Sequence, residues 1–193
     1  ENSSYSSDLA LTDSGDGFYN EDCVEGPNLN DSFKNFKYAI TSKNTFYVNS
    51  SYEGAEEYGT IENPFKTINS AFMNLALNRT VVNIILAEGF YPISNTISIT
   101  KNLNIIGMNG QNTIISGKNI TEIFHIKNNL LINIFNLTFA YGNSYYGGAI
   151  YTNRSTVNLV NTVFSENSAT VSDEYSSLYS AAGSAIYNEG GTL

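Results

Sequence analysis

The amino-acid sequence predicts an all-β solenoid, a parallel β-helix preceded by one α-helix. Three observations predict it: a repeat near 25 residues, three short β-type runs in each repeat, and one amphipathic segment ahead of them. Residues 132–139 (INIFNLTF) align without a gap onto residues 157–164 (VNLVNTVF), an offset of 25. A unit this small buries its apolar side chains only by stacking on its neighbours, so the repeat indicates a solenoid.

Polar corners rich in Gly and Asn separate the three runs of each repeat. In Val157-Asn158-Leu159 apolar and polar side chains alternate, which is typical of a strand with one buried face. Parallel stacking places equivalent residues about 4.8 Å apart, so we expect columns of like side chains. One column is apolar (Ile115, Phe139, Phe164), and two are asparagine ladders joined by amide hydrogen bonds (Asn104, Asn133, Asn158; Asn112, Asn136, Asn161). Other copies of the runs lie at residues 103–106, 112–115, 123–126, 148–151 and, after an insertion over 170–182, 184–187.

An α-helix is expected before the first complete coil. Between Asn63 and Ala76 the apolar residues fall at positions 68, 71, 72, 75 and 76, one face of a helix, and Pro64 lies near its start. Such a helix would cover the unpaired edge that an open β-helix leaves at its end. Residues 81–87 and 96–100 are expected to begin the first coils.

Charge divides the 193 residues into two parts. Residues 1–33 contain eight acids and no Lys or Arg, and supply most of the net charge of −9. We therefore expect residues 1–44 to be an acidic, polar, flexible leader or linker, and residues 45–193 to be the solenoid. Because residues 185–193 track residues 149–157, Leu193 falls within a strand, and we expect the N-terminal part of a longer β-helix, truncated at its C-terminal end.

Composition also excludes several classes of protein. Nine scattered Lys and Arg form no basic stripe, which argues against nucleic-acid binding. The longest apolar runs are far shorter than the ~18 residues of a membrane span. A single cysteine, Cys23, permits neither an internal disulfide framework nor a cysteine zinc cluster. We predict no cofactor.

No catalytic or metal-ligating set emerges from the sequence. Glycoside hydrolysis normally needs two carboxylates about 5–9.5 Å apart, but in the aligned repeats no acid stacks on another. After Asp31 the only aspartate is Asp173, in the long insertion. His125 is the only histidine, which excludes a histidine metal site, and we expect it to face solvent or to bond locally.

Tyrosines in the loops are the candidate ligand-binding residues. We expect loops at residues 143–148 and 171–184 to project from one side and to carry the recognition. Tyr suits this role because it combines a rigid contact area with a hydroxyl. Alternatively these tyrosines cover the edge of the coil. The candidates are Tyr141, Tyr145, Tyr146, Tyr175 and Tyr179. Seven Asn-x-Ser/Thr sites occur, of which Asn78, Asn119 and Asn153 are the candidates for glycosylation.

Two sets of residues resemble known families. Residues 47–49, 63–68 and 84–91 look like the N-terminal cap of right-handed parallel β-helix proteins of the pectate-lyase-like superfamily. Gly147-Gly148-Ala149-Ile150 and Phe164-Ser165-Glu166-Asn167 resemble the repeats of chlamydial polymorphic outer-membrane proteins and are similar to adhesin-like surface proteins of gut methanogenic archaea. The resemblance implies a right-handed coil with a capping helix and a secreted, surface-anchored adhesin.

These observations predict an extracellular, adhesin-like and non-enzymatic protein whose β-helix presents loops to a glycan or protein on another cell. Further β-helix coils of a longer chain are the other expected partner. The alternative is the N-terminal part of a carbohydrate-active enzyme, a polysaccharide lyase or hydrolase. A third interpretation is a stalk without a ligand of its own.

Overall fold

The computed structural model describes residues 44–77, 82–170 and 181–193, together with the backbone of residues 23–24 and 40–41. The last two segments are short strands, β1 (Cys23–Val24) and β2 (Ile40–Thr41), which pair antiparallel. Apart from them and Asn44, the predicted acidic leader lies outside the described residues.

Three parallel sheets form the body of the fold, and each coil adds one strand to each sheet in turn. The first sheet holds β3 (Thr45–Val48), β4 (Asn83–Leu86), β7 (Leu103–Gly107), β10 (Leu131–Phe135) and β14 (Thr156–Val160). The second holds β5 (Gly89–Pro92), β8 (Thr113–Ser116), β11 (Thr138–Ala140) and β15 (Val163–Ser165). The third holds β6 (Ile97–Ile99), β9 (Phe124–Ile126), β13 (Ile150–Asn153) and β17 (Ile186–Glu189). A small parallel pair, β12 (Asn143–Ser144) and β16 (Ser168–Ala169), lies at one corner. The predicted β-solenoid is therefore confirmed.

The predicted columns of side chains are largely confirmed. Phe139 lies in register between Ile115 and Phe164, and the Phe139 and Phe164 rings stack with centroids 5.4 Å apart. One asparagine ladder is longer than predicted, because Asn83 joins it as the first acceptor. The amides of Asn104, Asn133 and Asn158 each donate to the side-chain oxygen of the asparagine one coil below, at 2.7–2.8 Å. In the other ladder Asn161 donates to Asn136, but Asn112 donates to Glu88 instead.

Left-handed backbone conformations mark the corners of each coil. Residues with positive φ recur 25 positions apart, as Asn136 and Asn161 (φ 56° and 50°) and as Tyr141 and Glu166 (φ 54° and 52°). Asparagine tolerates this conformation better than most residues, because its short side chain bonds to nearby backbone. Part of the high asparagine content thus reflects the sharp corners of the coil.

The predicted helix is α1 (Ile68–Leu77), at the amino end of the described solenoid. Thr67 begins it, since its Oγ1 accepts from the Ser70 backbone N–H at 3.0 Å. Ile68, Ala71 and Leu75 are buried in the same core as the strands, and the side chain of Ala76 lies outside the described part. With ten residues, α1 is far below the length needed to cross a bilayer, and no helix of the described part is long and apolar enough to do so.

The segment between β3 and α1 satisfies the outer edge of β3. The backbone N–H of Tyr47 donates to Gly59 (2.9 Å), that of Phe65 donates to Tyr47 (2.9 Å), and that of Asn49 donates to Phe65 (2.8 Å). Exposed edge donors and acceptors invite pairing with other chains, so this segment protects the end of the first sheet.

We expect Gly148→Ala to destabilise the solenoid by about 1–3 kcal/mol, because the added Cβ has no room. It would lie 2.3 Å from the Ser168 carbonyl oxygen and 2.4 Å from that of Ser184, both backbone atoms of the next coil. Ser184 occupies the equivalent position one coil later, since Ile150 pairs with Ile186, and it is exposed. Ser184→Ala is the matched control and should change the free energy of unfolding by less than about 0.5 kcal/mol. Urea unfolding of both variants measures the two changes in the free energy of unfolding. Equal changes would contradict the lack of room for a Cβ at Gly148.

Candidate functional site

The outer surface of the third sheet carries two rows of aromatic and polar side chains. Along each of its strands alternate residues point inward, so that Phe124, Ile150 and Ile186 join the core. The residues that follow them point outward and lie in register as one row (His125, Tyr151, Tyr187). The second row, two positions further along, holds Asn153 and Glu189 in register, and Lys127 follows the end of β9 at the corresponding position of the sequence.

The first row is a stack of aromatic rings. His125 stacks on Tyr151 with centroids 4.6 Å apart and an angle of 8°, and Tyr151 stacks on Tyr187 at 5.8 Å and 18°. Tyr146 reaches the same stack from the preceding loop, 4.7 Å from Tyr187, and Tyr145 contacts Tyr146 edge to face at 4.4 Å. We call these five residues the aromatic face. Repetition of the coil therefore builds a rigid aromatic surface from residues far apart in sequence.

Sequence reasoning found part of this surface. Tyr145 and Tyr146 were candidates and lie in the aromatic face. Tyr141 lies at another corner, where its hydroxyl donates to Glu166 at 3.3 Å. Tyr175 and Tyr179, like residues 171–180 of the second loop, lie outside the described residues.

Sequence reasoning missed Tyr151 and Tyr187. Both were assigned to strand runs and not considered as ligand-binding residues. The signal that identifies them is their place after an inward isoleucine, which repeats at His125 after Phe124.

Hydrogen-bond donors converge on Glu189 at the end of the second row. Its Oε2 accepts from the Tyr151 hydroxyl at 2.5 Å and from Asn153 Nδ2 at 2.8 Å. These bonds, with the positive charges of Arg154 and Lys127, lower the pKa of the Glu189 carboxyl. Lys127 Nζ also lies over the Tyr151 ring, 5.2 Å from its centroid.

The buried carboxyl of Glu122 contacts the His125 ring. Glu122 is 9% exposed, and its Oε1 lies 3.0 Å from His125 Nδ1. Burial raises the pKa of Glu122 to about 8, although the backbone N–H of Tyr151 and the charge of Lys127 act in the opposite direction. Burial, and then Lys127, lower the pKa of His125. Both shifts favour the uncharged forms, a protonated carboxyl and a neutral imidazole. The expectation that His125 bonds locally is confirmed.

Two carboxyls thus contact Tyr151, but at opposite ends. Glu122 accepts from its backbone N–H, whereas Glu189 accepts from its hydroxyl. Among the residues that the structure describes, no three His, Cys, Asp or Glu side chains come together as a metal site.

The three candidate glycosylation sites differ in their surroundings. Asn119 is exposed, with φ 59°. The Asn153 amide donates to Glu189. Asn78 lies outside the described residues. Glycosylation stays a prediction, and Asn119 is the described site most open to a transferase.

Comparisons with family models, with curated proteins and with solved structures found no match. The functional proposal therefore rests on the geometry of the chain itself.

Proposed function

We propose that this chain is an adhesin-like protein of the cell surface, secreted and non-enzymatic. In this proposal a right-handed β-helix, capped by α1, holds the aromatic face toward a glycan or protein of another cell. The observation that carries the proposal is the aromatic stack on the outside of the third sheet. Half-buried Tyr and His rings combine apolar contact with the capacity for hydrogen bonding, at a small cost in side-chain entropy.

The rigidity of the support favours recognition. His125, Tyr151 and Tyr187 lie on three strands that are hydrogen-bonded in register, and the side chains beneath them are buried. A ligand therefore meets rings that are already ordered, so that little conformational entropy is lost on binding. An extended row of rings also suits a chain-like ligand better than a compact one.

The alternative of a carbohydrate-active enzyme has less support. A glycosidase needs an acid and a second carboxylate facing the same bond, about 5–9.5 Å apart. Glu122 has the raised pKa of a general acid, but it is buried beneath His125 and contacts the Tyr151 backbone. Glu189 is exposed and accepts from the Tyr151 hydroxyl, whereas Glu122 lies at the backbone end of the same residue.

The repeat motifs that resemble adhesin-like proteins have structural roles in this chain. Asn167 accepts from the Gly142 backbone N–H at 2.8 Å and donates to the Phe139 carbonyl at 2.9 Å, so it joins two coils. Phe164 continues the apolar column. These motifs support a solenoid of the adhesin-like type, while the aromatic face supports the binding role.

Replacing two rings of the aromatic face should weaken attachment. We expect the double variant Tyr146→Ser, Tyr187→Ser to bind target cells or a glycan array at least about tenfold more weakly, since stacked aromatic residues dominate such contacts. Tyr58→Ser is the matched control, because Tyr58 is 60% exposed and precedes α1, away from the face. Attachment measured by flow cytometry or on the array should be unchanged in the control. Equal attachment by all three proteins, with unchanged circular dichroism, would refute the proposed function.

A further inference from the structure

We propose that the second row of the third sheet is a carboxylate-binding site, that Glu189 fills it from within the chain, and that the glycan is an acidic one whose uronate carboxylate replaces Glu189. This inference rests on the proposed function and names the class of ligand. The donors are the Tyr151 hydroxyl and Asn153 Nδ2, and the cations are Lys127 and Arg154.

The donor set has the composition of an anion site. Two uncharged donors of different residues meet on one oxygen, Glu189 Oε2, at 2.5 and 2.8 Å. Hydrogen bonds to a charged acceptor are stronger than those to a neutral one, and both cations act in the same direction. The lowered pKa of Glu189 follows from this set, because its donors favour the ionised form. Another carboxylate at this position would find the same partners.

Glu189 is suited to be displaced. It is exposed, on the outer surface of β17, whereas the donors Tyr151 and Asn153 belong to the preceding coil. Exposed charge pairs contribute little to folding, so exchanging this carboxylate for that of a ligand costs little stability. The backbone carbonyl of Glu189, which accepts from Arg154 N–H at 2.9 Å, keeps the strand in place without the side chain.

A sugar acid matches both rows of the surface together. Its ring offers apolar edges to the aromatic face, and its carboxylate reaches the donors of the second row. The net charge of −9, most of it in residues 1–33, gives an acidic ligand no general attraction to the chain, so such a ligand needs a local set of donors and cations like this one.

The test is titration calorimetry with a glucuronate-containing oligosaccharide and with the same oligosaccharide after its carboxylates are reduced to alcohols. Glu189→Ala should bind the acidic form about tenfold more tightly than the wild type does, because the internal competitor is gone. Binding of the reduced form should not change. Adding Asn153→Ala or Tyr151→Phe to Glu189→Ala should remove the gain.

Glu166→Ala is the matched control, since Glu166 also accepts from a tyrosine hydroxyl, that of Tyr141, but at another corner. It should bind both oligosaccharides as the wild type does. No gain in Glu189→Ala, or an equal gain for both forms, overturns the inference. A gain for an acidic peptide without one for the oligosaccharide overturns the glycan assignment. If the tyrosine variants lose attachment while Glu189→Ala gains nothing, only the carboxylate site fails. If the gain appears but the tyrosine variants attach normally, only the proposed function fails.

Discussion

Phe139→Ala is expected to lower the free energy of unfolding by about 3–5 kcal/mol, the usual cost of truncating a buried phenylalanine. Phe139 is fully buried, with its ring 5.3 Å from Phe124 on the third sheet and 5.4 Å from Phe164 on the next coil. The substitution therefore leaves a cavity where two sheets and two coils meet, and the hydrogen-bonded strands around it prevent collapse. Unfolding in guanidinium chloride, followed by circular dichroism, measures the loss.

Phe90 provides the matched control on the same sheet. It points outward from β5 and is 51% exposed, so Phe90→Ala should cost less than about 1 kcal/mol. Phe139→Leu keeps most of the side-chain volume and should fall between the two alanine variants. Equal losses for Phe90→Ala and Phe139→Ala would mean that the column is not the core of the solenoid.

The columns could be predicted from sequence because the repeat itself determines the register. Once residues 132–139 align onto 157–164, parallel stacking puts Asn133 beside Asn158 and Phe139 beside Phe164, with no further information. Departures occur where the period breaks. The step from Asn104 to Asn133 is 29 residues rather than the 25 of the next step, and in the corner between β7 and β8 Asn112 donates to Glu88 rather than joining Asn136.

The aromatic face was only partly predicted, although the alignment of residues 148–151 with 184–187 across the insertion already places Tyr151 beside Tyr187. Tyr151 and Tyr187 are 36 positions apart, yet they are direct partners in register. Tyr146 contacts Tyr187 only because its loop folds back over the third sheet, which alternation along a strand does not encode. Similarly, the contact of Glu122 with His125 depends on a corner that turns the carboxyl beneath the strand.

Motif resemblance predicts the fold more than the function, for physical reasons. Gly148 is glycine because the next coil passes within 2.4 Å of its missing Cβ, and Asn167 is asparagine because it joins two coils through its amide. Both requirements come from the stacking of coils and would be the same whatever ligand the protein binds. The residues that we propose for binding are the outward ones, on which stacking imposes the weakest demands.

Stability is expected to fall as the pH rises from about 6.5 to about 8, because Glu122 then loses a proton in a buried place. Burial raises its pKa to about 8, from an ordinary value of 4.5. An acid whose pKa is higher in the folded chain than in the unfolded chain contributes its full stabilisation below the unfolded-state pKa. This contribution is lost as the pH rises toward the folded-state pKa. At about 1.4 kcal/mol per pH unit, the loss over this interval is about 2 kcal/mol.

The pH interval from 6.5 to 8 separates the contribution of Glu122 to stability from that of His125. The pKa of His125 is lowered below 6.5, so its own contribution rises with pH, and does so below pH 6.5. There the two groups oppose each other, while above 6.5 Glu122 acts without His125. Glu122→Gln keeps the shape of the side chain but has no proton to lose, so its free energy of unfolding should stay level.

Urea unfolding at pH 6.5, 7.25, 8 and 8.5 compares the wild type with Glu122→Gln and with Glu88→Gln. Glu88 is an exposed carboxylate that accepts from Asn109 and Asn112, and its variant should keep the slope of the wild type. Above pH 8 Glu122→Gln should be the most stable of the three proteins, because the others then carry a buried charge. A slope in Glu122→Gln as steep as that of the wild type would mean that Glu122 is already ionised at neutral pH, paired with a charged His125 beneath the aromatic face.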